Sequence, residues 1–414
     1  MRPTPDGFTR SVFQLSAGTA LGQGLFIAAS PLLSYLYTPQ DFGVFATFMA
    51  IVPLLLPLAT MRYEAAIPLA EKDTDALNLV VLCIGLNVAV SIVIGVILWT
   101  LKELSWLSVI KGLWFWIPLS MLLIGLYQTM SFWAIRRKQY STLARTKLFQ
   151  AIAGVSAQLG LGWLGAGSIG LIIGEIATRS MGFLSLLRSA SIRAGEIQLE
   201  SIKTLAIRYR RFGLFGLPDA LLSVAVLNLP TLLIASLYEP TVVGWFGLVS
   251  RLVAAPVGIV GQALAQVYLG QAAAIYREGG SLHSIFTKTL RVLSLWSAIP
   301  FAIFGMVVLP YGITTLFDPQ WKIAATLAVP MSLWYLGALI VSPLSQTLNI
   351  LQKQHILLLW NLGRLLATLA VYGWAFLFVP SLTAMVWALA LIHFTAYLTL
   401  LGILSMNVLQ RGSP

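Results

Sequence analysis

Long apolar stretches separated by short polar segments run along the whole chain. A helix needs about 20 apolar residues to cross a bilayer, whereas an isolated strand there would leave its backbone groups without hydrogen-bond partners. We therefore interpret the stretches as transmembrane helices. Twelve are predicted, near residues 12–36, 42–61, 77–100, 112–135, 144–164, 167–187, 213–236, 242–266, 287–310, 325–349, 356–378 and 382–408.

A ten-residue segment occurs twice, at similar positions in the two halves of the chain. Residues 36–45 (LYTPQDFGVF) return 201 positions later as residues 237–246 (LYEPTVVGWF), with Leu, Tyr, Pro, Gly and Phe in the same places. Each copy is a polar turn between two apolar stretches. A repeat of this length in an apolar chain predicts two similar halves, as in many transporters.

The longest connection, at about residues 188–212, separates the two halves. It is basic and carries apolar residues among its charges, a pattern typical of an amphipathic helix on a membrane surface. We therefore predict an all-α polytopic fold, with six-helix bundles at 1–187 and 213–414 and an amphipathic connector at 188–212. Six is an even number, so both bundles start on the same side, and the predicted pseudo-twofold axis follows the membrane normal.

Composition supports an integral membrane protein. Hydrophobic residues make up 58% of the chain and charged residues 10%, and the mean hydropathy is +0.87; soluble domains carry about 25% charged residues. The single cysteine, Cys83, excludes a disulfide framework. The net charge of +12 could indicate binding to nucleic acid. In a membrane protein, basic residues in cytoplasmic loops are the simpler explanation.

The positions of Lys and Arg predict the orientation of the helices. With the N-terminus inside, 20 of the 26 basic residues fall in inside segments and 3 in outside segments. This strong excess predicts cytoplasmic termini and explains the net charge without nucleic acid.

Enzymatic chemistry is not indicated by the sequence. The outside connections are short, which leaves no room for an external catalytic domain. The chain has no phosphate-binding glycine loop, no nucleophile elbow and no metal-binding spacing. We therefore expect a transporter without catalytic residues, metal or cofactor.

Charged residues inside the apolar stretches are the most informative, because burying one costs at least about 2.5–3.5 kcal/mol. They are Glu175, Arg179, Asp219, Arg251 and Arg364. Glu175 and Arg179 lie four residues apart on one helix face and are able to pair. An Asp219–Arg251 pair on consecutive helices would be a structural role for those two residues.

Three arginines against two acids leave a surplus of positive charge. The guanidinium group binds phosphate and pyrophosphate with two parallel hydrogen bonds. We therefore expect Arg251, Arg364 and Arg179 to bind an anionic headgroup in a cavity open to the cytoplasm. Glu175, Asp219 or His393 could carry a coupling proton, although a hydrogen-bonded packing role is the better interpretation of His393.

Four blocks of the sequence resemble bacterial polysaccharide-export flippases of the Wzx type, within the multidrug/oligosaccharidyl-lipid/polysaccharide exporter superfamily. The first combines SAGTA at 16–20 with LYTPQDFG at 36–43, and the second is RYEAAIPL at 62–69. The third is RFGLFGLP at 211–218, and the fourth runs from SRLVAAP at 250–256 to GQA at 261–263.

The resemblance implies two bundles around a V-shaped cavity and the flipping of an undecaprenyl-pyrophosphate-linked oligosaccharide across the bacterial inner membrane. It implies that cationic residues hold the headgroup, with Arg251 carried over by its motif. Arg62 and Glu64 carry over as a cytoplasmic-edge motif, for which an ion pair or hinge is the structural alternative. Glu175 and Asp219 depart from the family pattern.

Two other functions stay open. A multidrug antiporter of the same superfamily would need unpaired acids for organic cations, which the arginine surplus disfavours. A membrane-embedded polysaccharide polymerase or ligase would need a larger outer face. The expected partners of a flippase are the lipid-linked oligosaccharide, membrane lipids and polymerase or glycosyltransferase enzymes of the same pathway.

Overall fold

The computed structural model describes residues 5–101, 114–189, 199–351 and 353–409. These residues form helices and no strands. Each predicted apolar stretch coincides with a helix or a series of helical pieces, and ten of the described helices are long and apolar enough to span a bilayer. The predicted all-α polytopic membrane fold is confirmed.

The chain folds as two compact units, Met1–Gly244 (the N-terminal unit) and Trp245–Pro414 (the C-terminal unit). The first contains α1 Pro5–Leu36, α2 Pro39–Thr60, α3 Asp73–Leu101, α4 Trp116–Arg136, α5 Tyr140–Trp163, α6 Gly167–Ser189, α7 Leu199–Arg208 and α8 Leu217–Leu237. Helix α9, Pro240–Arg277, begins in this unit and continues in the next. Helix α5 packs between α1 and α6, whereas α2 contacts α4, α6 and α8.

The C-terminal unit is built around the packing of two long helices. Its further helices are α10 His283–Arg291, α11 Ala298–Ile303, α12 Leu309–Leu316, α13 Ala325–Val341, α14 Gln346–Ile350, α15 Gln354–Phe378 and α16 Leu382–Leu409. Helix α13 packs along α16, which also contacts α15. This contact brings together the polar residues of the unit that are described below.

Prolines explain why π-helical turns interrupt two long helical segments, Phe212–Leu237 and His283–Leu316. A proline lacks an N–H donor and its ring collides with the carbonyl four residues earlier, so the helix before it widens. The π-helical turn Phe212–Gly216 precedes Pro218. The turns Val292–Ser297 and Phe304–Val308 precede Pro300 and Pro310 and separate α10, α11 and α12.

Helix α3 shows how the chain is adapted to lipid. Its exposed face is apolar and includes Val88, Ile92 and Val96, whereas Asn87 is buried. The Asn87 amide donates to the Leu122 carbonyl at 2.8 Å. Polar groups therefore point into the protein and apolar groups point out, as expected where the solvent is hydrocarbon.

Both copies of the sequence repeat form the same helix junction. Helix α1 ends at Leu36 and α2 begins at Pro39, and 201 residues later α8 ends at Leu237 and α9 begins at Pro240. The predicted turn between two helices is thus confirmed in each half. Helix α7 supplies the predicted amphipathic part of the connector, whose residues 190–198 lie outside the described ranges. The proposed bundle boundaries at 187 and 213 stay a prediction.

Candidate functional site

The first copy of the repeat fixes the start of two helices. Thr38 caps α2 through the Asp41 N–H, while the Asp41 carboxylate accepts from the Thr38 N–H at 3.0 Å, forming a capping box. The other oxygen of Asp41 accepts from the Ser168 N–H at 2.8 Å, at the beginning of α6. One carboxylate therefore satisfies backbone donors of both α2 and α6.

Tyr37 anchors the same turn in the interior. Its side chain is 1% exposed and its hydroxyl donates to the Gln158 carbonyl of α5 at 2.6 Å. A Cβ on either Gly162 or Gly170 would lie 2.6 Å from the Tyr37 side chain. The conspicuous Tyr-Thr-Pro-x-Asp motif is thus explained by packing and capping.

The two copies of the repeat cross each other in a reciprocal way. A Cβ on Gly43 would lie 1.7 Å from the Pro240 carbonyl oxygen, and a Cβ on Gly244 would lie 1.8 Å from the Pro39 carbonyl oxygen. These four positions are equivalent pairs under the 201-residue shift. The contact therefore has the local pseudo-twofold symmetry that the repeat predicts, and it requires glycine on both sides.

The loop after α2 buries a carboxylate. Met61 and Arg62 both have positive φ, at 48° and 65°, so the chain turns sharply into the 3-10 helix Tyr63–Leu69. Glu64 is 1% exposed and accepts hydrogen bonds from the Thr60 hydroxyl and, at 3.1 Å, from the Gln128 amide. Arg62 lies 3.4 Å from Glu64, which is the ion pair that was the structural alternative for this motif.

Arg136 holds the other end of this 3-10 helix. Its guanidinium donates to the carbonyls of Ile67 and Ala70 at 3.3 and 2.7 Å. It also pairs with Asp73 at 2.8 Å. Tyr63 joins the loop to α7 by donating to the Ala206 carbonyl at 3.0 Å, and burial raises the pKa of its phenol. The loop is therefore tied to α4 and α7.

A cavity of about 390 Å³ lies within the N-terminal unit. Its walls are mostly apolar and are formed by Met49, Val52, Pro53, Leu56, Ile124, Ile135 and Leu143. Its polar lining consists of Tyr127, Gln128, Ser131, Lys147 and Arg179. The cavity thus combines an apolar wall with two cationic side chains, one from α5 and one from α6.

Arg179 is paired as the sequence spacing predicts. Its Nη2 lies 2.8 Å from the Glu175 carboxylate, and its Nε donates to the same oxygen at 3.0 Å. Glu175 is buried, whereas the Arg179 side chain is 34% exposed and reaches the cavity. Gln128 connects the cavity to the buried Glu64 described above.

The C-terminal unit holds a different arginine site. Arg364 of α15 is 4% exposed and directs its Nε and Nη2 at the Nδ1 of His393 in α16, at 3.3 and 3.2 Å. The rings of Trp360 and Tyr397 lie 4.5 and 4.8 Å from the guanidinium carbon. The structure therefore brings Arg364 and His393 together, although separate roles were expected for them from the sequence.

The remaining candidates lie on α8 and α9. Asp219 is exposed in the first turn of α8, and Arg251 is half-buried in α9. Ser250, next to Arg251, lies with its hydroxyl 3.0 Å from the Tyr335 hydroxyl of α13. The Asp219–Arg251 pair stays a prediction.

Sequence reasoning missed Lys147 and Gln128 as cavity residues. Lys147 lies at the start of the third turn of α5 and faces the cavity with Arg179. Its position inside the fifth apolar stretch was the available signal. Gln128 carried no signal, because a single amide in a helix has many uses.

The chain matches one family of known proteins. The model of a family described as polysaccharide biosynthesis protein matches residues 32–326. No curated protein sequence gives a significant match.

Several solved transporters share the fold. An inward-facing multidrug resistance MATE family transporter of the MOP superfamily gives a TM-score of 0.67 at 12% identity, over 96% of both chains. The lipid II flippase MurJ, in an inward closed conformation, gives 0.66 at 13% identity, over 97% of this chain and 90% of MurJ. A MOP superfamily transporter from Pyrococcus furiosus gives 0.60 at 15% identity, over 98% and 96%. At these identities the likeness shows the fold alone.

Proposed function

The chain belongs to the family of polysaccharide biosynthesis proteins, and from this premise we propose that it is a lipid-linked oligosaccharide flippase. It moves an undecaprenyl-pyrophosphate-linked repeat unit of an O-antigen, capsule or exopolysaccharide across the bacterial inner membrane by alternating access. The protein acts as a transporter and not as an enzyme. Its termini lie in the cytoplasm.

The observation that carries this proposal is the cavity of the N-terminal unit, with Lys147 and Arg179 set among apolar walls. A pyrophosphate headgroup attached to a hydrocarbon chain has the same two characters. Phosphate oxygens bind ammonium and guanidinium donors by charge-assisted hydrogen bonds, which are strong where water is scarce. An organic cation would instead be repelled, which argues against a multidrug antiporter.

We assign the substrate-facing residues as follows. Lys147 and Arg179 bind the pyrophosphate within the N-terminal unit, with Glu175 fixing the guanidinium of Arg179. In the C-terminal unit, Arg251 of α9 is assigned separately, as a cationic residue that binds the headgroup from that unit. The Arg62–Glu64 loop closes the cytoplasmic edge, since Gln128 hydrogen-bonds to Glu64 and also lines the cavity.

Reconstitution tests the proposal directly. Proteoliposomes would carry a fluorescent undecaprenyl-pyrophosphate disaccharide in both leaflets, and a membrane-impermeant reductant would bleach only the outer leaflet. We expect protein-dependent bleaching of the inner pool. A protein that moves ethidium and leaves this lipid in place would instead be a multidrug transporter.

Lys147→Gln sharpens the test. Losing one charged hydrogen bond costs about 1.5–3 kcal/mol, or roughly 10- to 100-fold in affinity for the probe. Lys147→Arg keeps the charge and should retain most of the transport. Lys203→Gln, an exposed lysine on α7, is the matched control. Equal flipping by Lys147→Gln and Lys203→Gln would contradict a headgroup site in this cavity.

A further inference from the structure

Both nitrogens of the His393 ring are engaged. A guanidinium has donors only, so the contacts from Arg364 require Nδ1 to be an acceptor. Nε2 lies 3.3 Å from the Thr368 hydroxyl, whose own hydrogen is donated to the Arg364 carbonyl at 2.8 Å. The geometry assigns a neutral ring with its hydrogen on Nε2.

Arg364 is held without a carboxylate. From residue 245 to the C-terminus the acidic residues are Glu278 and Asp318, and both lie in connections between helices. The guanidinium is satisfied instead by the imidazole and by the faces of Trp360 and Tyr397. To touch a headgroup, Arg364 would have to abandon all three partners.

A chain of contacts leads from this arginine to Arg251. The His393 ring is stacked on Trp334, with centroids 4.0 Å apart and planes inclined by 2°. Trp334 lies against the ring of Tyr335 at 5.6 Å. The Tyr335 hydroxyl is hydrogen-bonded to Ser250, the residue before Arg251. The path runs through α15, α16, α13 and the part of α9 that belongs to the C-terminal unit.

We propose that Arg364 is a positioning residue, which acts through His393, Trp334 and Tyr335 to set the orientation of Arg251. Arg364 fixes the plane of the imidazole, and stacking transmits that plane to Trp334. The Tyr335–Ser250 hydrogen bond then fixes the rotation of α9 at the level of Arg251. Its importance for transport rests on the proposed function, in which Arg251 binds the headgroup.

A ligand-free measurement tests this path. With Arg251→Cys as the reporter, a thiosulfonate carrying an ammonium group labels position 251, while the native Cys83 is buried. We expect Arg364→Gln to change the labelling rate at least about fivefold. Tyr335→Phe removes the hydrogen bond to Ser250. In that background Arg364→Gln should therefore change the labelling rate by less than about twofold.

Tyr268→Phe is the matched control. It removes a tyrosine-to-hydroxyl hydrogen bond in the same unit, between Tyr268 and Thr347 at 2.6 Å, away from the path. In that background Arg364→Gln should keep its full effect. The proposal would be overturned if Arg364→Gln left the labelling rate at position 251 unchanged. It would also be overturned if Arg364→Gln changed that rate equally in the Tyr335→Phe and Tyr268→Phe backgrounds.

Conservative variants add a readout that general destabilisation would not move. His393→Asn places an amide oxygen near the position of Nδ1 and cannot act as a proton carrier at neutral pH. It should give nearly wild-type labelling at position 251 and an unchanged pH profile of flipping, whereas His393→Leu should reproduce the effect of Arg364→Gln. If labelling behaves as expected and the lipid probe is not flipped, the path stands and the flippase assignment fails.

Discussion

The two copies of the repeat share a backbone and differ in what their side chains do. In the first copy, Thr38 and Asp41 form a capping box. The equivalent positions of the second copy are Glu239 and Val242, and there the Val242 N–H is bonded to the Glu239 backbone carbonyl at 3.0 Å. Only the glycine–proline crossing is reciprocal. The symmetric element is therefore backbone packing, while capping and charge were free to diverge.

The two halves also differ in where they carry positive charge. Shifting Arg251 back by 201 residues leads to Ala50, which is buried in α2. The first half instead brings in its cavity cations on α5 and α6. A duplicated frame thus carries positive charge at non-equivalent places, which suits an asymmetric ligand with one charged end.

The crossing glycines should give the largest effect. In Gly43→Ala or Gly244→Ala the new methyl group would overlap a backbone carbonyl, at 1.7 or 1.8 Å. We expect each variant to lose about 3 kcal/mol or more of stability, and by similar amounts because the contact is reciprocal. Thermal unfolding in detergent measures the loss.

Gly85→Ala is the control for these variants. Its new Cβ would meet open space, and alanine is favoured over glycine inside a helix by about 0.5–1 kcal/mol. It should leave stability unchanged or slightly raised. Wild-type stability in Gly43→Ala together with a loss in Gly244→Ala would break the reciprocity of the two copies.

Arg251 should give the next largest effect, on transport. Arg251→Ala makes the second copy resemble the first and removes a cationic contact, so flipping of the lipid probe should fall roughly 10- to 100-fold. Arg364→Ala should also reduce flipping, because it releases the path that orients Arg251. Lys288→Ala, on an exposed face of α10, serves as the control. Normal flipping by both arginine variants would contradict a cationic binding site in the C-terminal unit.

The sequence was sufficient for features that depend on neighbouring residues. The two junctions and the Glu175–Arg179 pair each arise within a few residues of chain, and both were predicted. The family resemblance also anticipated the transporter fold. Lipid-facing stretches were predictable because hydrophobicity over 20 residues decides them.

Contacts between distant elements were not predictable. Arg364 and His393 are 29 residues apart, and Tyr37 and Gln158 are 121 apart. Trp321 illustrates the limit well: it lies in a short polar connection between two apolar stretches, yet it is fully buried in a 3-10 helix. Local composition predicts whether a segment lies in lipid or in water. Whether a side chain is buried against other helices depends on their packing, which no local pattern encodes.

The helix caps should give a smaller and asymmetric effect. Thr38→Ala removes the side chain that accepts from the Asp41 N–H and should cost about 1–2 kcal/mol. Glu239→Ala, at the equivalent place, should change stability by less than about 0.5 kcal/mol. Unfolding midpoints of the two variants would measure the difference, and equal losses would mean that both turns depend on side-chain caps.

Tyr37→Phe should give the smallest effect at neutral pH. Removing the hydroxyl leaves the Gln158 carbonyl without this donor and should cost about 1 kcal/mol. Burial and the nearby Asp41 carboxylate raise the pKa of Tyr37 to about 12, whereas an unfolded chain has a tyrosine pKa of about 10.

The sign of the pH dependence follows from this difference. The protonated phenol stabilises the fold fully below pH 10, and this contribution is lost as the pH rises from about 10 to 12. The advantage of wild type over Tyr37→Phe should therefore shrink across that interval, in parallel denaturation series at each pH. A difference that stays constant across this interval would mean that the Tyr37 phenol has the same pKa in the folded and unfolded chains, which would contradict its burial as a protonated hydroxyl.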